Sequence, residues 1–118
     1  MRDKVGKPGW KLAGGNMEPG ESLVDTVVRE AREEVGLTVV PGRIIGWKDF
    51  YRTNGASKEY HVRIFFEGAT DTDVLVIDPD EVAEARWFTV EELKKMSLEE
   101  LYADHREAIR GVLRSIPK

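Results

Sequence analysis

Three carboxylates, Glu30, Glu33 and Glu34, stand at spacings of three and four residues, with Arg29 one turn ahead of Glu33. Residues so spaced share one face of a helix. Like charges there repel by a few tenths of a kcal/mol per pair, so the face is mildly unfavourable unless a cation sits against it. Arg29 can neutralise and orient only one of the three. The run alone leaves two readings open. Charge runs are usually solvated surface. A glutamate face on a rigid helix is also a platform for a hard divalent cation, which prefers oxygen ligands. Mg²⁺ keeps several waters and takes a few carboxylates plus phosphate oxygens, so the second reading carries a definite chemistry. Such an ion stabilises charge on a diphosphate and lowers the pKa of a bound water, giving an attacking hydroxide near neutral pH. The reaction would be hydrolysis of a phosphoanhydride. Gly14 and Gly15, ahead of the run, lack a Cβ, so their backbone can approach an ion and phosphates closely.

A helix over residues 23–35 is predicted to carry these groups. Ser22 with Asp25 resembles a capping box, Asp replacing the usual Glu. Val24, Val27, Val28, Ala31 and Val35 form an apolar stripe, Gly36 falls just past the end, and the glutamates lie about 125° from the stripe centre near Val24. Before the helix comes a breaker-rich loop with Pro19-Gly20 as a turn signal. Residues 39–52 and 58–68 read as strands joined by a hairpin loop at 53–57, with Tyr60, Val62, Ile64 and Phe66 on one face. Residues 74–77 and 83–88 read as two further short strands. Thr89 with Glu92 and Ser97 with Glu100 are further capping boxes. The second opens a helix whose core face is Leu98, Leu101, His105, Ile109, Val112 and Ile116, with His105 a structural core histidine. Residues 1–9 hold one aliphatic side chain besides Met1 and read as a loop or loose arm. The order of elements is α+β.

Composition narrows the partners. With 118 residues, no cysteine and 41% hydrophobic content, the chain reads as a single domain, residues 1–118. A fold of this size buries roughly 65% of its unfolded surface, enough for a core without staples. The absence of Cys excludes a disulfide scaffold, a zinc–thiolate site and a thiol nucleophile. A net charge of −4 gives no field for a nucleic-acid polymer or an anionic membrane. No apolar run approaches the roughly 18 residues that span a bilayer, and the first ten residues are too polar for a secretory signal. A cytoplasmic protein is expected.

The larger spacing is more specific. Gly15-x5-Glu21-x7-Arg29-Glu30-Ala31-x-Glu33-Glu34-x-Gly36-Leu37 resembles the signature of the Nudix hydrolases, MutT-like enzymes, at every fixed polar and glycine position. Ala31 is small where the family favours a bulkier aliphatic. Trp10-Lys11-Leu12, Glu18-Pro19-Gly20-Glu21-Ser22, Ala85-Arg86-Trp87-Phe88 and Glu91-Glu92-Leu93 are also similar to the family's wording.

The resemblance, covering residues 10–96, implies a Nudix-type α/β/α sandwich with a mixed sheet, with residues 15–37 as its loop–helix–loop box. It implies divalent-metal-dependent hydrolysis, with Mg²⁺ or Mn²⁺, of a nucleoside diphosphate linked to another moiety. Glu30, Glu33 and Glu34 become metal ligands, Arg29 the partner that fixes a glutamate, and Gly15 a carbonyl donor to the metal. Glu21 is less direct, holding the loop or the helix start. Glu81 and Glu84 are the candidates for an additional acid, as ligand or general base. Among residues that could meet substrate, Trp47 and Tyr51 could stack a base and Arg52 and Arg63 could hold phosphates. His61 could be a base or a surface residue.

Two departures matter. Ala13 stands where many members have Pro, and only 14 residues precede Gly15, fewer than the family's leading strands need. An unpaired sheet edge would follow, which proteins cover or pair, so a homodimer is expected, by edge contact or exchange of the first residues. The family's diphosphate isomerase branch uses a cysteine that this chain lacks. A non-catalytic, nucleotide-binding or regulatory module is the alternative to an enzyme.

Overall fold

The structure, a computed structural model, describes residues 1–3, 9–101 and 105–115. Its elements in chain order are β1 (Arg2–Asp3), α1 (Leu23–Val35), β2 (Val39–Asn54), β3 (Ser57–Thr70), β4 (Val82–Glu84), α2 (Val90–Lys95), a 3₁₀ turn (Leu98–Glu100) and α3 (Arg106–Ser115).

Both ends of α1 are closed by local chemistry. The Ser22 hydroxyl accepts the Asp25 N–H, and the Asp25 carboxylate accepts the Ser22 N–H, both at 3.1 Å. At the other end Gly36 adopts φ 70°, and a Cβ there would lie 2.8 Å from the Cβ of Val76. Glycine is therefore required both by conformation and by space. The inward face is not centred where the valine stripe suggests. Val24 is 47% exposed, while Thr26, Ala31, Glu34 and Val35 are buried. The core gathers at the C-terminal end of α1, where Val35 and Leu37 pack with Met1 and Val82.

β2 and β3 form a long antiparallel hairpin with Tyr51 opposite Tyr60 and Trp47 opposite Ile64. Its turn is at Asn54–Ser57, with Gly55 at φ 63°. Irregularities between Pro41 and Gly46 break the register near its base, where Pro41 has no N–H to give. Alternation divides the hairpin. Trp47, Tyr51, Tyr60 and Val62 share one exposed face. On the other, Phe50 stacks on His61 with ring centroids 5.2 Å apart, and the Arg52 and Arg63 guanidinium groups lie over Phe50.

Four expectations are corrected. Residues 1–3 are not loose: Met1 is buried in the core and β1 pairs antiparallel with β4. The rest of the expected arm, residues 4–8, lies outside the described residues. Residues 74–77 are not a strand; they run against the end of α1, Val76 N–H donating to Val35 O at 2.9 Å. The predicted strand at 83–88 is confined to β4. The Ser97 box opens a single 3₁₀ turn rather than a continuous helix, and α3 begins only at Arg106. Leu101, His105 and Ile109 are buried as expected, while Ile116 and the side chains of Leu98 and Val112 lie outside the described residues. The class is α+β. Among the described residues both sheets are antiparallel pairs, and parallel pairing is confined to the Trp10–Leu101 bridge. No helix in the described residues is long and apolar enough to cross a membrane.

Candidate active site

The glycine loop is held at alternate residues by side chains from elsewhere. Leu12 N–H donates to His105 Nδ1 at 3.1 Å, and Gly14 N–H donates to Glu34 Oε1 at 2.7 Å. Asn16 O accepts from Arg29 Nη2 at 2.9 Å. Between these ties Gly15 packs directly on Glu30: a Cβ at position 15 would fall 2.5 Å from Glu30 Oε1. Glycine at 15 is a matter of room for a carboxylate.

Arg29 organises the acidic groups more extensively than its sequence position suggests. Its Nε and Nη2 grip both oxygens of Glu21 at 2.7 and 3.0 Å, the bidentate geometry that only a guanidinium offers. Its Nη1 donates to Glu30 Oε1 at 2.8 Å and to Glu33 Oε2 at 3.1 Å. One cation thus serves three carboxylates, with Glu18 a fourth at 3.6 Å. The Arg29 fork, then the Glu18 N–H and the Thr26 hydroxyl, lower the Glu21 pKa to about 2. In return Glu21, followed by Glu30, holds Arg29 above its usual range. Glu21 ties the loop to the helix start, accepting Glu18 N–H at 2.8 Å and the Thr26 hydroxyl at 3.1 Å.

The three box glutamates form a chain of contacts. Glu34, 6% exposed, and Glu30 flank the Gly14–Gly15 backbone; Glu30 and the open Glu33 meet at Arg29 Nη1. Among the described residues no three Asp, Glu or His groups are drawn into a ready cage. The donor set nevertheless fits a hard cation of the Mg²⁺ type, which takes one or two carboxylates and completes its shell with waters and substrate phosphates. Glu30 and Glu34 beside a glycine backbone would supply those carboxylates and a carbonyl.

The other candidates lie on other elements of the fold. Glu81 is exposed in the turn before β4, Glu84 lies 4.0 Å from Arg2, and neither is a partner of Arg29. The four hairpin candidates do not form one subsite: Trp47 and Tyr51 are on the exposed face, Arg52 and Arg63 on the opposite one. Strand parity already separates Tyr51 from Arg52. His61 lies 3.4 Å from Glu59. An open groove of about 470 Å³ lined by Thr70, Asp71, Thr72, Asp73 and Trp87 shares no residue with the box. The tie from His105 to Leu12 had no local signal, since 93 residues separate the two.

The family model described as NUDIX domain matches residues 1–112. The nucleoside triphosphatase NudI of Salmonella schwarzengrund (strain CVM19633) is 32% identical over 111 residues, covering 88% of this chain and 77% of NudI. The NAD-capped RNA hydrolase NudC of Pseudomonas putida (strain W619) is 35% identical over 84 residues, covering 71% of this chain but 28% of NudC. The chain therefore corresponds to little more than a quarter of NudC's length. The crystal structure of a MutT protein from Methanosarcina mazei Go1 superposes with a TM-score of 0.76 at 31% identity, covering 100% of this chain and 79% of that one.

Proposed function

Because the chain belongs to the Nudix domain family, we propose that it is a pyrophosphohydrolase that uses Mg²⁺ or Mn²⁺ to cleave a phosphoanhydride in a nucleotide-type substrate. The observation that carries this reading is the contact of Glu34 with the Gly14 N–H and of Glu30 with Gly15, with Glu33 linked to Glu30 through Arg29.

Glu30, Glu33 and Glu34, with the Gly15 carbonyl, would hold the cation. When bound, it neutralises the diphosphate and lowers the pKa of a water. The chain's own part is positional. Arg29 holds Glu30 and Glu33 in place through its Nη1, Glu21 anchors Arg29, and the absence of a side chain at 15 leaves room for the Glu30 carboxylate against the loop. Attack is by water rather than by a protein nucleophile, because the box offers carboxylates and no nucleophile–base pair. Glu81 is proposed as the additional acid in preference to Glu84, which faces Arg2. Arg52 and Arg63 are the proposed phosphate contacts, and the Trp47–Tyr51 face is assigned to a second copy of the chain. The names of NudI, a nucleoside triphosphatase, and NudC, an NAD-capped RNA hydrolase, each specify a substrate carrying phosphoanhydrides, which supports this substrate class.

The alternative reading is nucleotide binding without turnover. A panel of nucleoside triphosphates, dinucleoside polyphosphates, NAD-type dinucleotides and nucleotide sugars, with Mg²⁺ and with Mn²⁺, separates the two. Release of phosphate or mononucleotide from one class supports the enzyme; binding with no release supports the module.

A further inference from the structure

We propose that His105 is a positioning residue for this site, setting the entry of the glycine loop through its Nδ1 lone pair. The proposal rests on the reading above in treating the loop as part of an active site; the tie itself is independent of that reading.

Leading into the loop, the backbone is first held by other backbone. Trp10 N–H donates to Glu100 O at 2.7 Å and Lys11 N–H to Met1 O at 2.8 Å. At Leu12 the pattern changes, and the donor meets His105 Nδ1 instead of a carbonyl. Two residues on, Gly14 N–H meets Glu34. His105 and Glu34 thus continue with side chains a pairing that main chain begins. His105 suits the task because it is fixed: it is buried, it immediately precedes α3, and its ring stands edge-on to Phe65 with centroids 5.5 Å apart. An N–H aimed at Nδ1 requires the lone pair there, so the ring proton sits on Nε2. Without an acceptor at this point the part-buried Leu12 N–H would be left unpaired, and the chain would settle elsewhere. Gly15, three residues on, lies against Glu30 with no room for a Cβ, so a shift at the entry changes how the loop meets that carboxylate.

Substitutions that differ in where they place an acceptor test this. Asn puts Oδ1 near the position of Nδ1, Gln places its acceptor one bond farther out, and Leu supplies none. The readouts are residue-resolved amide exchange at Leu12 and Gly14, Mn²⁺ affinity measured with the metal alone, and turnover on the substrate found in the panel. In His105→Leu and His105→Gln, exchange at Leu12 should rise about tenfold, the factor of one ordinary hydrogen bond, with weaker Mn²⁺ binding and lower kcat. His105→Asn should restore all three. Should the Leu variant fail to fold, the Gln–Asn pair carries the same comparison. Unchanged Leu12 exchange in the Gln variant overturns the tie, and faster exchange with unchanged Mn²⁺ affinity overturns the positioning role. Equal losses in Asn and Gln overturn the requirement for Nδ1. If the wild type turns over no substrate, the functional reading fails while exchange and Mn²⁺ affinity still decide the role of His105.

Discussion

Glu34 and Gly14, twenty residues apart, are joined by a 2.7 Å hydrogen bond from the glycine N–H to the Glu34 carboxylate. A helix residue that lies on an acidic face by spacing is, in the fold, buried against the loop ahead of that helix. The bond makes loop and helix one unit, and it gives Glu34 a second duty beside that of a proposed metal ligand.

The two duties separate by substitution. Glu34→Gln keeps an oxygen for Gly14 but loses the charge, so Gly14 amide exchange should stay near wild type while metal-dependent turnover falls by orders of magnitude. Glu34→Ala should lose both. A Gln variant that turns over normally would leave Glu34 with the structural duty alone.

Gly15→Ala tests the contact with Glu30. The added Cβ would meet the far end of a flexible side chain, 2.5 Å from Oε1, so the chain should fold with little loss of stability. Glu30 must swing away, and both Mn²⁺ affinity and turnover should fall at least tenfold if its position matters, about 1.4 kcal/mol. Thermal denaturation alongside turnover reads the two effects apart.

The Glu21 carboxyl, lowered to about 2 by Arg29, makes stability depend on acid in a known direction. A group with a depressed folded pKa stabilises the fold above its unfolded value, about 4.3, and that contribution is lost as pH falls towards 2. Wild-type denaturation curves should therefore weaken across this window. Glu21→Gln should be less stable at pH 7 and should lose part of that slope, which denaturant titrations at pH 7, 4 and 3 measure. Equal slopes in both proteins would contradict the assignment.

Trp47, Tyr51, Tyr60 and Val62 are 69%, 59%, 80% and 65% exposed on one hairpin face, roughly 500 Å² per chain and about 1,000 Å² for a pair, at the lower limit for a specific interface. Asp49 and Lys58 share that face by strand parity, so it carries both signs and suits a copy of itself under a two-fold axis. Sedimentation at micromolar concentration should show a dimer, and Trp47→Glu a monomer. A wild-type monomer would remove the pairing.

Features determined locally were legible in the sequence. The Ser22 cap, Gly36 and the Gly55 turn depend on neighbours within a few residues, and α1 and the hairpin follow from them. Acidic spacing likewise identified the Arg29–Glu34 run. What escaped depends on distant partners. Nothing local shows that the 74–77 run would bond to the end of α1, that residues 2 and 3 would pair with β4, or that His105 would take the Leu12 N–H. The outward turn of Val24 and the inward turn of Glu34 share that cause, since the core lies at one end of the helix rather than along it.

The central claim is that the box glutamates hold the cation on which hydrolysis depends. Mn²⁺ binding by calorimetry, run beside nucleotide release for the wild type and for the combined Glu30→Gln, Glu33→Gln and Glu34→Gln variant, tests it most directly, with circular dichroism to establish that both are folded. The account predicts that the wild type binds Mn²⁺ and releases product only when the ion is present, and that the folded variant does neither. A folded variant that still binds Mn²⁺ and hydrolyses the same substrate at a comparable rate would contradict it.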